Sequence, residues 1–420
     1  MAPINVGLVG YGLSTTAFHI PTITAVPNAR VYAVVQRAAA PDISSNPKKG
    51  DHVTIDYPDV KHYQDATSLF KDPEVHLVVL CTPSPGHYEM AKEALEHGKH
   101  VIVEKPFCPT TQDCTALIDL AAKSNLLLTV YQNRRWDSDF LTLKKYLSAP
   151  HTSPLLTPII SITSQFNRYR LPTAAITISS SKAWKAEDVP GNGILYDLGS
   201  HLIDQILHLF GLPDWIWAHT DNQRQTEPLG IDDSFNVYLY YNAKPDFNGG
   251  KPLTVELKSS MVSAVPRQNR WVIKSWQGSY KKFGMDVQED QLRAHATEAI
   301  KMEDYGEEKI EEWPEITVPV DIIGTPDGAL DEIFGKVATL KRGGGYVSGK
   351  VKPEKGDYVE FYRNVIECVS SVVGGEGVEN VKERLHIKAE EARNTIGVIE
   401  LARESARTGN RVEVKEKLKF

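Results

Sequence analysis

The chain has 420 residues, 41% of them hydrophobic, and its 47 Lys and Arg against 54 Asp and Glu leave a formal net charge of −7. That length predicts two or three domains with sizeable cores, and the acidic balance excludes a general nucleic-acid binder, which needs a basic surface. No apolar run approaches the ~20 residues of a membrane-spanning helix, Met1-Ala2-Pro3-Ile4 does not open a secretory signal, and Cys81, Cys108, Cys114 and Cys368 form no C-x-x-C pair, so the expectation is a cytoplasmic globular protein without a disulfide scaffold or structural zinc.

Short apolar runs predict buried strands at Ile4–Val9, Val31–Val35, Leu77–Cys81, His100–Val103 and Leu126–Val130. Pro85–His97 and Gln112–Lys123 between them have helical periodicity. Strands apolar on both faces and separated by helices imply a parallel sheet of βαβ units. Ala38–His62, rich in Pro, Ser, Lys and Asp, reads as a long surface loop. A helix is expected over Phe140–Leu147, capped by Asp137 or Ser138.

Beyond about residue 150 the texture changes. Val237–Tyr241, Thr254–Leu257, Asn269–Ser275 and the run around Glu315–Pro319 cluster β-formers between Gly- and Pro-rich turns. They predict a second domain on a mostly antiparallel sheet. A helix over Leu195–Phe210 interrupts it, stopped by Gly211 and Pro213. Two more helices are expected over Asp357–Ser371 and about Ile387–Thr408, whereas Ala243–Pro252 and Gly343–Gly356 read as loops. The predicted class is α/β, with a parallel-sheet domain over residues 1–130 and a second domain over residues 131–420.

The first strand runs directly into Gly7-Leu8-Val9-Gly10-Tyr11-Gly12-Leu13-Ser14-Thr15. Gly10 would make a tight turn and Gly12 would let the backbone approach a pyrophosphate. The following helix start would offer N–H groups to the anion, with Leu13 and Ser14 beside it. Thr15 stands where a third glycine is usual. The second strand ends Val34-Val35-Gln36-Arg37, without the acidic residue that holds the ribose of NAD. Arg37 could pair with a 2′-phosphate, so NADP is expected, with NAD possible.

Three further segments carry polar chemistry. Lys105, in Glu104-Lys105-Pro106, follows the fourth strand at its carboxyl end, where a ligand crevice opens. A lysine there can bind a substrate oxygen and stabilise alkoxide charge. Asp197 and His201 are spaced i, i+4 on a predicted helix, and Asp204 and His208 extend the stripe. A histidine suits removal of a hydroxyl proton as hydride departs. Alternatively Asp197 caps the helix and His201 is a core residue. The stripe also permits a metal reading, but no third cluster completes it, and no metal is expected. Arg134 and Trp136, after the fifth strand, can clamp the hydroxyls and apolar faces of a sugar-like ring, or the arginine pair can form a salt-bridged domain joint.

Together these residues resemble the glucose–fructose oxidoreductase/inositol dehydrogenase (Gfo/Idh/MocA) family. The resemblance is carried by the glycine turn, Thr82-Pro83 with His87, Glu104-Lys105-Pro106, and Gly193…Asp197-x-Gly199-x-His201-x-x-Asp204. Phe18-His19-x-Pro21, Asn133-Arg134-Arg135-Trp136-Asp137 and Phe166-Asn167-Arg168-Tyr169-Arg170 make the chain most similar to NADP-linked scyllo-inositol dehydrogenase-like members. The resemblance implies a Rossmann domain followed by an α/β domain with a large open sheet that supports a homo-dimer or tetramer. It implies Lys105, Asp197 and His201 as the catalytic trio. It places Thr82, Pro83, His87, Glu104, Asn133, Trp184 and Lys185 at the cofactor. Arg134, Trp136 and Arg168 would contact a sugar or cyclitol substrate. A cofactor-binding regulator, or a reductase of another carbonyl metabolite, is the alternative.

Overall fold

Apolar runs without alternation need cover on both faces. β1 (Ile4–Val9), β4 (Leu77–Leu80), β5 (His100–Val103) and β6 (Leu128–Val130) are buried at every residue. With β2 (Ala29–Val35) and β3 (Lys61–Tyr63) they form a six-stranded sheet in the order β3-β2-β1-β4-β5-β6. Every neighbouring pair is parallel. The order reverses between β1 and β4, and in such sheets ligands bind at the carboxyl ends around that reversal.

The structure is a computed structural model that describes residues 3–42, 44, 46–148, 156–170, 188–226, 230–319, 341–343, 345–415 and 417–418. The chain divides into two compact units. The first takes in Met1–Asn133, Gln288–Tyr305 and Asp357–Ile396; the second takes in Arg134–Val287, Gly306–Gly356 and Gly397–Phe420. Among the described residues no helix is long and apolar enough to cross a membrane.

Helices of the first unit follow their apolar spacing. His87–Glu96 buries His87, Ala91, Ala94 and Leu95, one face at the 3.6 period. Thr111–Lys123 buries Cys114, Leu117 and Ala121, and the Thr110 hydroxyl caps it by accepting the Asp113 N–H. The helix Val359–Val373 packs beside β1 and beside the short helix Ile20–Thr24.

The expected loop at 38–62 is corrected twice, by a short helix at Val53–Asp56 and at its end, where Lys61–Tyr63 forms β3. Three residues on a sheet edge, none of them fully buried, give no apolar run to read. Asp72 pins this edge. Burial works to raise its carboxyl, but the Tyr63 hydroxyl at 2.7 Å, the Glu74 N–H at 2.9 Å and the Lys61 ammonium at 3.0 Å outweigh it and hold the pKa at about 2. The folded value lies below the unfolded one, so the unfolded chain binds the extra proton. The contribution is therefore complete above about pH 4 and lost as pH falls through about 2, and amounts to about 2 kcal/mol. Asp72→Asn is expected to lower stability by that amount at neutral pH and to flatten its acid dependence. Urea titrations at stepped pH would show it, and parallel pH curves for the two proteins would refute it.

In the second unit β7 (Ile159–Gln165), β8 (Trp215–Asp221), β9 (Ser234–Tyr241), β10 (Leu253–Ser260), β11 (Asn269–Ser275), β12 (Ser279–Phe283), β13 (Glu315–Pro319), β14 (Lys341–Gly343), β15 (Tyr346–Lys350) and β16 (Val412–Glu413) form one sheet. Its order is β14-β15-β13-β12-β11-β7-β10-β9-β8-β16. The pairings are antiparallel apart from β7 with β10. Burial alternates along β10, so Val255 and Leu257 point inward while Thr254, Glu256 and Lys258 point outward. On the outer face Trp215 stacks on Tyr240 at 4.7 Å and Trp217 tilts over Tyr238 at 5.6 Å, as cross-strand neighbours should.

The expected loop Gly343–Gly356 is corrected by β15, which pairs with β13 from Glu315–Lys350 to Pro319–Tyr346. Ala243–Pro252 holds only a short helical turn, Asn248–Gly250. The helix expected over Leu195–Phe210 is a wide π-type turn, Leu195–Gly199, followed by an α-helix, Ser200–Phe210. Such wide turns recur at functional sites.

Candidate active site

The glycine turn lies at the carboxyl end of β1. Gly10 has φ +107°, and a Cβ there would stand 2.8 Å from the Cys81 carbonyl oxygen. Only glycine meets both demands. Gly12 is different: a Cβ there would have no protein neighbour within 4 Å, so internal packing does not require it, as expected of a glycine kept for a close ligand. Thr15 fits where a third glycine was expected, because its hydroxyl donates to the Gly10 carbonyl at 2.8 Å and ties the turn to the helix. Leu13 is exposed, and Ser14 donates to the Glu104 carboxylate.

At the end of β2 the Gln36 amide is spent on the chain, accepting the Val53 N–H at 2.9 Å and donating to the Asp51 carbonyl at 3.2 Å. Arg37 beyond it is exposed. At the end of β4, Pro83 is exposed, and the Thr82 hydroxyl oxygen is buried without a hydrogen-bond partner among the described residues. A buried orphan hydroxyl beside Gly10 and Gly12 fits a bound polar ligand. His87 is braced by main-chain carbonyls. Its Nε2 faces the Thr82 carbonyl at 2.8 Å and its Nδ1 the Pro106 carbonyl at 2.9 Å, so both ring nitrogens are taken. Burial pushes its pKa below the ordinary value, against the pull of those carbonyls.

Lys105 is half-buried, and its peptide bond to Pro106 is cis. Glu104 is likewise bound into the protein. One carboxylate oxygen meets His19 Nε2 at 2.9 Å and the Ser14 hydroxyl, and the other accepts the Lys105 N–H at 3.0 Å. Burial works to raise Glu104, yet His19, Ser14 and the Lys105 charge hold it below its ordinary value. Burial opposes a charge on His19, but Cys81 and Glu104 outweigh it and raise the imidazole to about 10. Asn133 is buried at the end of the first stretch of this unit.

In the second unit the start of the helical segment is fixed by Asp232. Its carboxylate accepts the Leu195 N–H at 2.8 Å, and its carbonyl accepts the Ile194 N–H at 2.9 Å. Gly193 has φ +97°, and a Cβ there would stand 2.3 Å from that carboxylate. Asp197 is half-buried on the wide turn, and His201 is 5% exposed on the α-helix that follows. The lower part of the stripe does not share their role. Asp204 receives a bidentate fork from Arg135, at 2.8 and 2.7 Å. His208 lies 3.2 Å from the Lys144 ammonium, and burial, Arg135 and Lys144 push it down to about 3.

Arg134 and Arg168 converge on one ring. Each guanidinium sits 4.9 Å from the Phe166 centroid, a cation–π contact in each case. Asp137 lies 3.4 Å from Arg134 and is pushed up to about 8 by burial, against that arginine's pull. The helix runs Ser138–Ser148, so Asp137 stands immediately before its first residue, and the Ser138 N–H donates to Asp286 at 2.7 Å. Trp136 is buried. Trp184 and Lys185 lie outside the described residues. Sequence reasoning assigned no role to Phe166, His19 or Tyr362; the first two stood inside quoted motifs, whereas Tyr362 carried no signal of its own.

A profile of the GFO/IDH/MocA oxidoreductase family, NAD-binding Rossmann fold, matches residues 4–132, and the GFO/IDH/MocA C-terminal domain matches residues 155–281. The chain belongs to the GFO/IDH/MocA family. It is similar to the scyllo-inositol 2-dehydrogenase (NADP(+)) IolW of Bacillus subtilis, 32% identical over 405 residues, 96% of this chain and 94% of that protein. It is also similar to the uncharacterized oxidoreductase C115.03 of Schizosaccharomyces pombe, 39% identical over 326 residues, 76% of this chain and 82% of that one. A solved Bacillus subtilis structure described as an oxidoreductase, yvaA, superposes with TM-score 0.76 at 29% identity, covering 98% of each chain. The first unit is thus a family NAD(P)-binding domain, and the chain is an NAD(P)-binding oxidoreductase.

Proposed function

We propose that this GFO/IDH/MocA protein is an NADP-dependent dehydrogenase acting on a secondary hydroxyl, or the matching carbonyl, of a sugar or cyclitol. The observation that carries the reading is the glycine turn at the end of β1, with Gly12 open to a ligand, in a chain of this oxidoreductase family that holds Lys105, Asp197 and His201 in its motifs. The similarity to a cyclitol dehydrogenase over 96% of the chain supports the substrate class.

The turn at Gly10, Gly12 and Ser14, with Thr82 and Arg37, would hold the cofactor. When bound, the nicotinamide supplies the hydride acceptor or donor. His201 takes the hydroxyl proton as the carbon loses hydride, so the two electrons leave with the hydride and the proton stays on the imidazole. The Lys105 ammonium binds the same oxygen and stabilises its developing charge. Asp197 orients the substrate and favours the protonated imidazole.

Incubating the protein with NADP or NAD and a panel of inositols, aldoses and sugar acids, and following nicotinamide absorbance, tests this reading. Turnover of a polyol with NADP is the expected result. No turnover across the panel, in a protein that binds NADP, would sink it. Arg37→Ala is expected to weaken NADP binding about tenfold while leaving NAD unchanged, since one charged hydrogen-bonded contact is lost. Equal weakening of both cofactors in a fluorescence titration would remove Arg37 from the 2′-phosphate.

A further inference from the structure

Glu104 precedes Lys105, and both of its carboxylate oxygens accept hydrogen bonds inside the first unit. Oε1 accepts from His19 Nε2 and from the Ser14 hydroxyl, and Oε2 accepts the Lys105 N–H. His19 in turn meets the Tyr362 hydroxyl through Nδ1 at 2.6 Å, across 343 positions of sequence. The His19 side chain has no exposed surface, and neither does Tyr362. The imidazole lies tilted against Tyr131 at 4.4 Å, with Cys81 as its remaining polar neighbour. A continuous hydrogen-bonded chain therefore runs from the helix Val359–Val373 through His19 and Glu104. It divides there between the glycine turn and the lysine.

A buried ion pair is a costly way to hold a core together, because apolar side chains of equal volume commonly do as well or better. What such a network supplies is position, and here its outer ends are a cofactor-turn hydroxyl and the backbone of the lysine. We infer that His19 and Tyr362 are positioning residues for the reaction: they fix the Glu104 carboxylate, which sets the Ser14 hydroxyl and the Lys105 main chain together. The inference rests on the reading of Ser14 as a cofactor contact and of Lys105 as the group that binds the substrate oxygen. Glu104 then acts through its neighbours rather than on the cofactor ribose.

Three variants of the full chain test this. His19→Leu removes both hydrogen bonds at similar volume, His19→Gln keeps a donor towards Glu104, and Tyr362→Phe deletes one oxygen. NADP dissociation constants without substrate, kcat and melting temperature are compared. His19→Leu is expected to weaken NADP binding several-fold and to lower kcat about tenfold or more, since a small misplacement of reacting groups costs up to about a hundredfold. Its melting temperature should also fall, because the Glu104 carboxylate is left buried without its cation. His19→Gln should recover most of the losses in NADP binding and kcat, and Tyr362→Phe should fall between. A merely structural role predicts a lower melting temperature alone, with wild-type kcat and NADP affinity in the folded fraction, and that result overturns the inference. Should His19→Leu fail to fold, Tyr362→Phe decides on the same readouts. Lys105→Met separates the two readings. If it turns over normally, the reading of the lysine fails, and the NADP constants still judge the positioning of Ser14. If it is inactive while His19→Leu and Tyr362→Phe match the wild type, the inference alone fails.

Discussion

His201→Ala is expected to lower kcat by roughly 10²–10⁴-fold, the usual worth of a positioned proton acceptor, with NADP affinity unchanged. The hydroxyl proton must leave as the carbon gives up hydride, and histidine is the side chain suited to accept it near neutral pH. The residue is held on a helix whose start is fixed by Asp232, so truncation should leave the backbone in place. Lys105→Met should cause a loss of similar size, but of a different kind. Removing the ammonium takes away charge stabilisation of the substrate oxygen, and strongly basic conditions should not restore it. For His201→Ala, by contrast, higher pH should recover part of the rate by letting hydroxide or water take the proton. Steady-state kinetics across pH with the best polyol of the panel would distinguish the two. Full turnover by either variant would remove that residue from the mechanism.

The second large effect concerns Arg135 and Asp204. Both side chains are almost fully buried, and the fork is bidentate. Asp204→Ala leaves a guanidinium in the core with no carboxylate, a loss of about 3–5 kcal/mol. In a domain of this size that lowers the melting temperature by on the order of 10 °C. Kinetic consequences should follow, because Gln205, the next residue on that helix, donates to the Arg134 carbonyl at 2.7 Å and receives Arg270 at 2.5 Å. Loosening Asp204 thus loosens the helix that carries His201. The double variant Arg135→Met, Asp204→Leu should regain most of the stability, since no charge is then stranded. Calorimetry on the single and double variants decides. A single variant melting with the wild type would show that the pair does not hold the helix.

The legible parts of this fold were those whose signal is local. β1, β4 and β5 announced themselves as unbroken apolar runs because parallel strands are covered on both faces. β3 gave no such run, being three edge residues that depend on Asp72 for their place. The parallel pairing of β7 with β10 joins Ser161 to Thr254, and no local pattern encodes so distant a neighbour. The site divided similarly. Gly10, Arg37, Lys105 and His201 stand in short motifs whose spacing states a chemistry. Asp204 and His208 shared the spacing of Asp197 and His201, and only the structure shows Arg135 and Lys144 claiming them. The partners of Glu104 were hidden for the same reason, since His19 beside it answers to a tyrosine 343 residues further along.

The return of Asp357–Ile396 to the first unit bears on how the protein is made. The ribosome delivers all six strands of the parallel sheet by residue 130, but the helix that packs beside β1 spans Val359–Val373. At about 5–20 residues per second, the nascent sheet waits roughly 10–50 s for that cover. Throughout that interval β1 lacks the neighbour that the late helix supplies. The N-terminal half therefore emerges first and completes its packing last.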